Sequence, residues 1–158
     1  MKLIRNGVFE TNSSSCHSVS LGSGDVLTSI TPDDNGVITL HAMDFGWEYD
    51  QYNDAATKLT YLWIYARDWT TGNSDSKIAH LEPLEYLDKL ISVVLEHTGA
   101  VEIVFKDNGI SYGTNLDLGY IDHQSVEGRD YDYLWDKDLL KTFIFDPKST
   151  LTTDNDNH

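Results

Sequence analysis

Cysteine, positive charge and long apolar runs are scarce in this chain, and each scarcity excludes a class of protein. The single cysteine, Cys16, cannot form an intramolecular disulfide, which fits a reducing cytoplasm. Only 11 Lys and Arg residues oppose 26 Asp and Glu, so the formal net charge is −15 and we expect no direct binding to a nucleic-acid backbone. No apolar run is long enough to cross a bilayer, and no signal-peptide core follows the charged residues 1–5.

The remaining composition predicts one folded domain. The chain has 158 residues, of which 40% are apolar and 11% aromatic, enough for a sizeable core and too many for a disordered protein. Strands are predicted at residues 3–9, 18–21, 101–106 and 149–153. Residues 26–30 and 37–42 are predicted to form a hairpin around residues 32–36, and residues 107–109 a second hairpin turn. These strands are grouped in sequence and do not alternate regularly with helices.

Apolar residues at helical spacing predict two main helices, at about 54–69 and 83–97. In the first, Asn53 is the expected N-cap. The second has Pro83 in its first turn and Gly99 at its end. A short C-terminal helix is expected at 137–143. The predicted fold class is therefore α+β, a single domain at 1–158 with a mostly antiparallel sheet.

An unbroken polar run separates the first two predicted strands. Its hydroxyl, amide and carboxylate groups are those that hold an anion, a metal or a defined hydrogen-bond network. The serines and Asn12 can cradle a phosphate, but the glycines and lysine of a P-loop are missing. The structural alternative is a turn whose side chains bond to their own backbone. The candidate binding residues of this run are Glu10, Asn12, Ser13, Ser14 and Ser15.

The polar run resembles the opening of a group of small phage and bacterial proteins, which begin with a short strand followed by Glu-Thr-Asn-Ser-Ser-Ser-x-His-Ser. The motif is matched at Glu10, Thr11, Asn12, Ser13, Ser14, Ser15, His17 and Ser18. Three further stretches are similar to the group, namely Phe45-Gly46-Trp47-Glu48, Tyr120-Ile121-Asp122-His123-Gln124-Ser125 and Thr153-Asp154-Asn155-Asp156-Asn157. The resemblance implies a phage or mobile-element origin and a bacterial cytoplasmic setting. The group carries no assigned activity, so no catalytic residue is transferred.

A second set of side chains has the chemistry of a divalent-metal site. Imidazole and carboxylate groups suit such an ion if the first and last strands lie side by side and bring them together. The candidate catalytic residues are His17, Asp122 and His123, and the candidate metal ligands are His17, Asp122, His123, Asp154 and Asp156. The structural alternative is that the histidines pack or cap, and that residues 154–156 are a solvated terminus.

Aromatic residues alternate with carboxylates in two places. Trp47 and Glu48 precede the first helix. The second place contains the candidate binding residues Asp130, Tyr131, Asp132, Tyr133, Trp135 and Asp136. Flat anchors surrounded by negative charge are what binding to a basic protein surface needs. Aromatics that pack inward beneath solvated aspartates explain the segment equally well.

These observations lead to two functional hypotheses. In the first, the protein is an acidic accessory protein of phage type that binds a basic partner, such as a nucleic-acid-binding host protein, and inhibits it by imitating nucleic acid. In the second, it is a metal-dependent hydrolase or nucleotide-processing enzyme that uses residues 10–17 and the pair Asp122 and His123. Solubility alone is a third explanation of the charge. No membrane partner is expected in any of these cases.

Overall fold

The computed structural model describes residues 2–4, 15–45, 48–71, 83–106, 111–112, 115–116, 119–121 and 136–155. Its helices are α1 (Ala55–Thr71), α2 (Pro83–Thr98) and α3 (Lys137–Phe145). Its strands are β1 (Lys2–Ile4), β2 (Ser15–Leu21), β3 (Val37–His41), β4 (Asp44–Phe45), β5 (Asp50–Tyr52), β6 (Glu102–Lys106), β7 (Ser111–Tyr112), β8 (Asn115–Leu116), β9 (Tyr120–Ile121) and β10 (Thr150–Asn155). The mixed content confirms the predicted α+β class.

The main sheet is antiparallel and has the strand order β1-β2-β10-β5. Its central strands come from opposite ends of the described chain, with Leu151 paired with Val19 and Thr153 with His17. β1 pairs with β2 in antiparallel orientation, which agrees with the predicted mostly antiparallel sheet. β2 nevertheless begins at Ser15, so Ser15, Cys16 and His17 belong to the strand and not to the preceding loop.

The predicted hairpin of residues 26–30 with 37–42 is wrong. Residues 26–30 form no strand, because Thr28 bonds through both its N–H and its Oγ1 to the Phe145 carbonyl at the end of α3, at 2.7 and 2.8 Å. β3 pairs instead with β6, in parallel. Parallel strands need a long crossover, and α1 and α2 lie between these two in sequence. β7 pairs with β8, and the predicted turn at 107–109 lies outside the described residues.

Residues 55–66 of α1 are buried around most of the circumference of the helix, and the burial is not limited to the apolar residues at helical spacing. Lys58, Thr60, Tyr61 and Tyr65 are buried together with the apolar side chains, and Ala56 is exposed. A helix enclosed on nearly all sides lies in the interior of a domain. It contacts α2, α3, β3 and β9. The hydrophobic core includes Leu59 and Leu62 of this helix together with Phe45, Leu90, Ile121, Phe143 and Leu151.

The helix ends follow local chemistry. The carboxylate of Asp54 accepts the Thr57 N–H at 2.8 Å, so Asp54 caps α1 and the predicted cap Asn53 is wrong. Pro83 begins α2 as predicted, and Gly99 follows it with a φ of 73° while its N–H donates to the Leu95 carbonyl. None of the helices described here combines the length and the apolarity that a membrane span requires.

Candidate functional site

The register of β2 on β10 decides which predicted ligands meet. The metal-site hypothesis requires the first and last strands to lie side by side, but β2 lies between β1 and β10. Asp154 pairs with Cys16 and Asn155 with Ser15, whereas His17 pairs with Thr153. The backbone of residues 154–155 thus belongs to a central strand. The sheet pairs Ser15, the last residue of the serine run, with Asn155, and Asp154 lies one register position away from His17.

The side chain of His17 points into the core. It is 2% exposed, its Nδ1 lies 2.9 Å from the Tyr61 hydroxyl, and the two rings are 5.7 Å apart. Tyr61 is itself packed edge-on against Phe45. His17 therefore takes part in a buried aromatic and hydrogen-bonded cluster beneath the sheet.

Most of the other predicted site residues lie outside the described part of the chain. They are Glu10, Asn12, Ser13, Ser14, Trp47, Asp122, His123, Asp130, Tyr131, Asp132, Tyr133, Trp135 and Asp156. Within the part of the chain that is described, no group of three His, Cys, Asp or Glu side chains is arranged to hold a metal ion. The divalent-metal site and the hydrolase hypothesis therefore stay predictions.

Glu48 lies in an acidic segment, residues 48–54, that includes β5 and ends at Asp54, the cap of α1. Tyr49 is 61% exposed and lies between Glu48 and Asp50 in sequence, both of which are exposed as well. The backbone of the segment is held by the neighbouring strand β10. Thr153 Oγ1 of β10 donates to the Glu48 carbonyl at 2.8 Å, and β5 pairs with β10. Burial, and secondarily a hydrogen bond to Asp50, raises the pKa of Tyr52 above its usual 10.0. Tyr49 is thus an exposed aromatic side chain in an acidic segment whose backbone is held by β10.

Asp136, predicted as part of the second acidic surface, has a structural role. It is exposed, and its Oδ1 accepts the N–H groups of Asp138 and Leu139 at 2.8 and 3.1 Å. It is the N-cap of α3. The cap does not exclude a binding role, because a carboxylate has more acceptor sites than these two bonds use.

The sequence reasoning missed a buried polar cluster centred on Lys58. The Lys58 ammonium donates to the carbonyls of Asp146 and Ser149, both at 2.9 Å, and lies 5.7 Å from the Phe143 ring centroid. The buried Asp146 carboxylate accepts the N–H groups of Gly24 and Lys148, both at 2.8 Å. The cluster ties α1, the loop after β2 and the end of α3 together.

Burial lowers the pKa of Lys58 from 10.5 to about 8, and the carboxylates of Asp146 and Asp54 oppose this shift. A sequence signal for it exists. Lys58 lies three residues after Ala55 and four before Leu62, on the apolar face of α1. A lysine at such a position must either extend to solvent or find buried acceptors, and here it finds two carbonyls.

Comparison with known proteins assigns this chain to no family. No family model matches the chain, and no curated protein or solved structure matches it either.

Proposed function

We propose that this protein binds a basic partner protein through its acidic surface, and that the partner is a nucleic-acid-binding protein which it inhibits by imitating nucleic acid. The observation that carries the proposal is the distribution of negative charge. Of the acidic side chains that the structure describes, all except Asp146 are exposed, in a chain of net charge −15. Such a surface attracts basic proteins over long range and repels nucleic acid.

The segment 48–54 supplies the anchor that charge alone lacks. Interfaces gain most of their binding energy from a few aromatic and arginine side chains. Tyr49 is such an aromatic residue, because it is exposed and lies between Glu48 and Asp50 in sequence. An arginine of the partner can stack on the Tyr49 ring while it pairs with Glu48 or Asp50. Because β10 holds this segment in place, little conformational entropy is lost on binding. Residues 130–135 are the predicted second part of the surface. The proposed location is the bacterial cytoplasm.

The test is affinity capture from a bacterial lysate, followed by measurement on the purified partner. We expect a basic nucleic-acid-binding protein that is released by salt and displaced by double-stranded DNA. The double variant Glu48→Gln, Asp50→Asn should weaken binding about tenfold, and Tyr49→Ala should do the same.

The matched control is Asp34→Asn, Glu102→Gln, which also removes two exposed charges but lies at the turn before β3 and at the start of β6. It should change the affinity less than about threefold. Equal losses of affinity in the two double variants would show that binding depends on the net charge of the protein and not on the segment 48–54. A captured partner that DNA does not displace would contradict the proposed imitation.

A further inference from the structure

The second half of α2 and the first turns of α3 enclose a cleft of about 300 Å³. It is lined by Val93, Glu96, His97, Lys137, Asp138 and Lys141. Two lysines and a histidine thus come together in a chain in which acidic residues outnumber basic ones by 26 to 11. None of these residues belongs to the acidic segment 48–54, so the cleft has to be explained separately.

The charged side chains of the cleft differ in whether an oppositely charged group or a helix dipole lies near them. Glu96 accepts the Ser92 hydroxyl at 3.2 Å and lies 4.0 Å from the Lys137 ammonium, so Lys137 has a carboxylate beside it. Asp138 is in the first turn of α3, where the helix dipole favours a negative charge. For the half-buried Lys141, by contrast, the described residues supply no hydrogen bond and no carboxylate within 4.0 Å.

The spacing of the two lysines increases this imbalance. Lys137 and Lys141 are four residues apart on α3, so their like charges lie on the same side of the helix and repel. On the α2 side of the cleft, His97 and Val93 are held in place by their contacts and burial. The His97 ring centroid lies 4.1 Å from that of Phe145, and its Nε2 is 2.7 Å from the Thr28 carbonyl, to which it donates. Val93 is 4% exposed and forms an apolar wall.

We propose that this cleft binds a small oxyanion, the phosphate or carboxylate group of a ligand, through the Lys141 ammonium. The anion supplies a counter-charge in contact with Lys141, which the described residues do not, and it offsets the repulsion from Lys137. A lysine binds such a group as a point charge, without the geometric demands of an arginine fork. The volume of the cleft admits a small molecule that carries the anionic group.

The experiment is a titration of the full chain with inorganic phosphate and, separately, with acetate, followed by amide NMR at constant ionic strength. Constant ionic strength is needed because salt alone affects a protein of this charge. We expect saturable shifts confined to the amides of residues 93–97 and 137–141. Lys141→Gln should weaken binding about tenfold, whereas Lys106→Gln, which removes an exposed lysine of β6, should leave it unchanged.

The two anions distinguish the sources of the group. Saturation by phosphate alone assigns a phosphoryl group, by acetate alone a carboxylate, and by both an unspecific oxyanion site, and each supports the proposal. Shifts that do not saturate with either anion, or that are the same in Lys141→Gln, would overturn it.

Discussion

The ammonium of Lys58 is buried among backbone carbonyls, and the free energy of keeping it protonated there depends on pH. Its pKa falls from 10.5 to about 8 on folding, mainly because burial disfavours the charge. Between these two values the unfolded chain binds more protons than the folded one, so the free energy of unfolding rises with pH. Below pH 8 the amine is protonated in both states and the full cost of burying the charge is present.

We therefore expect the stability of the wild type to increase relative to Lys58→Met as the pH rises from 8 to 10.5. A shift of this size corresponds to about 3 kcal/mol. The measurement is urea unfolding of both proteins across this range. Burial raises the pKa of Tyr52 in the folded protein, so its ionisation destabilises both chains at high pH, and the difference between the two curves is the quantity to compare. Parallel curves would mean that Lys58 has an ordinary pKa in the folded protein.

The second prediction at this scale concerns the carboxylate beside it. Asp146→Asn keeps the shape of the side chain but turns one acceptor into an NH₂ group that faces an N–H donor, of Gly24 or of Lys148. It also removes the negative charge near the Lys58 ammonium. We expect a loss of about 3 kcal/mol in chemical unfolding.

Asp138→Asn, on the exposed first turn of α3, is the control and should change stability by less than about 0.5 kcal/mol. If the two substitutions cost the same, the buried cluster does not stabilise the fold in the way its contacts indicate.

At the scale of elements, the start of α3 depends on one capping residue, Asp136, which is also a predicted part of the acidic surface. The Asp136 carboxylate satisfies two N–H groups at the start of this helix. We expect Asp136→Ala to reduce stability by about 1 kcal/mol, whereas Asp136→Asn, which keeps the acceptor and removes the charge, should cost at most a few tenths. Thermal unfolding of the two variants checks this.

The same pair of variants tests the partner surface. If Asp136 takes part in binding, Asp136→Asn should weaken binding to a captured basic partner while leaving the helix intact. Equal affinities of wild type and Asp136→Asn would limit this residue to its capping role.

Elements with strong local signals were predicted well from the sequence, and elements fixed by distant contacts were not. α2 has Pro83 at its start and Gly99 at its end, and the structure places the helix between them. Residues 26–30 have the composition of a strand, but the Phe145 carbonyl, 117 residues further along the chain, binds Thr28 and holds this segment outside any sheet. No local pattern carries that information.

At the scale of the whole molecule, the net charge of −15 acts against the compact state. The exposed carboxylates repel one another, and added salt screens this repulsion. We expect the melting temperature to rise as NaCl is increased from low to physiological concentration, by roughly 2–4 °C for each kcal/mol gained.

Differential scanning calorimetry of the full chain measures this effect. The variant Asp34→Asn, Glu102→Gln, with two fewer exposed charges, should show a smaller salt dependence. A melting temperature that is independent of salt in both proteins would show that the surface charge does not oppose folding.

The sequence by itself determined the fold class, the positions of the helices and the acidic character of the surface, because these depend on periodicity, end signals and composition. It also indicated which residue types are available for a site. Only the tertiary structure decided that β2 lies between β1 and β10, that His17 is buried beside Tyr61, and that Lys58 is enclosed by carbonyls. These facts depend on contacts between residues far apart in the chain. Local patterns do not encode such contacts, because packing and hydrogen bonding choose among many compatible pairings.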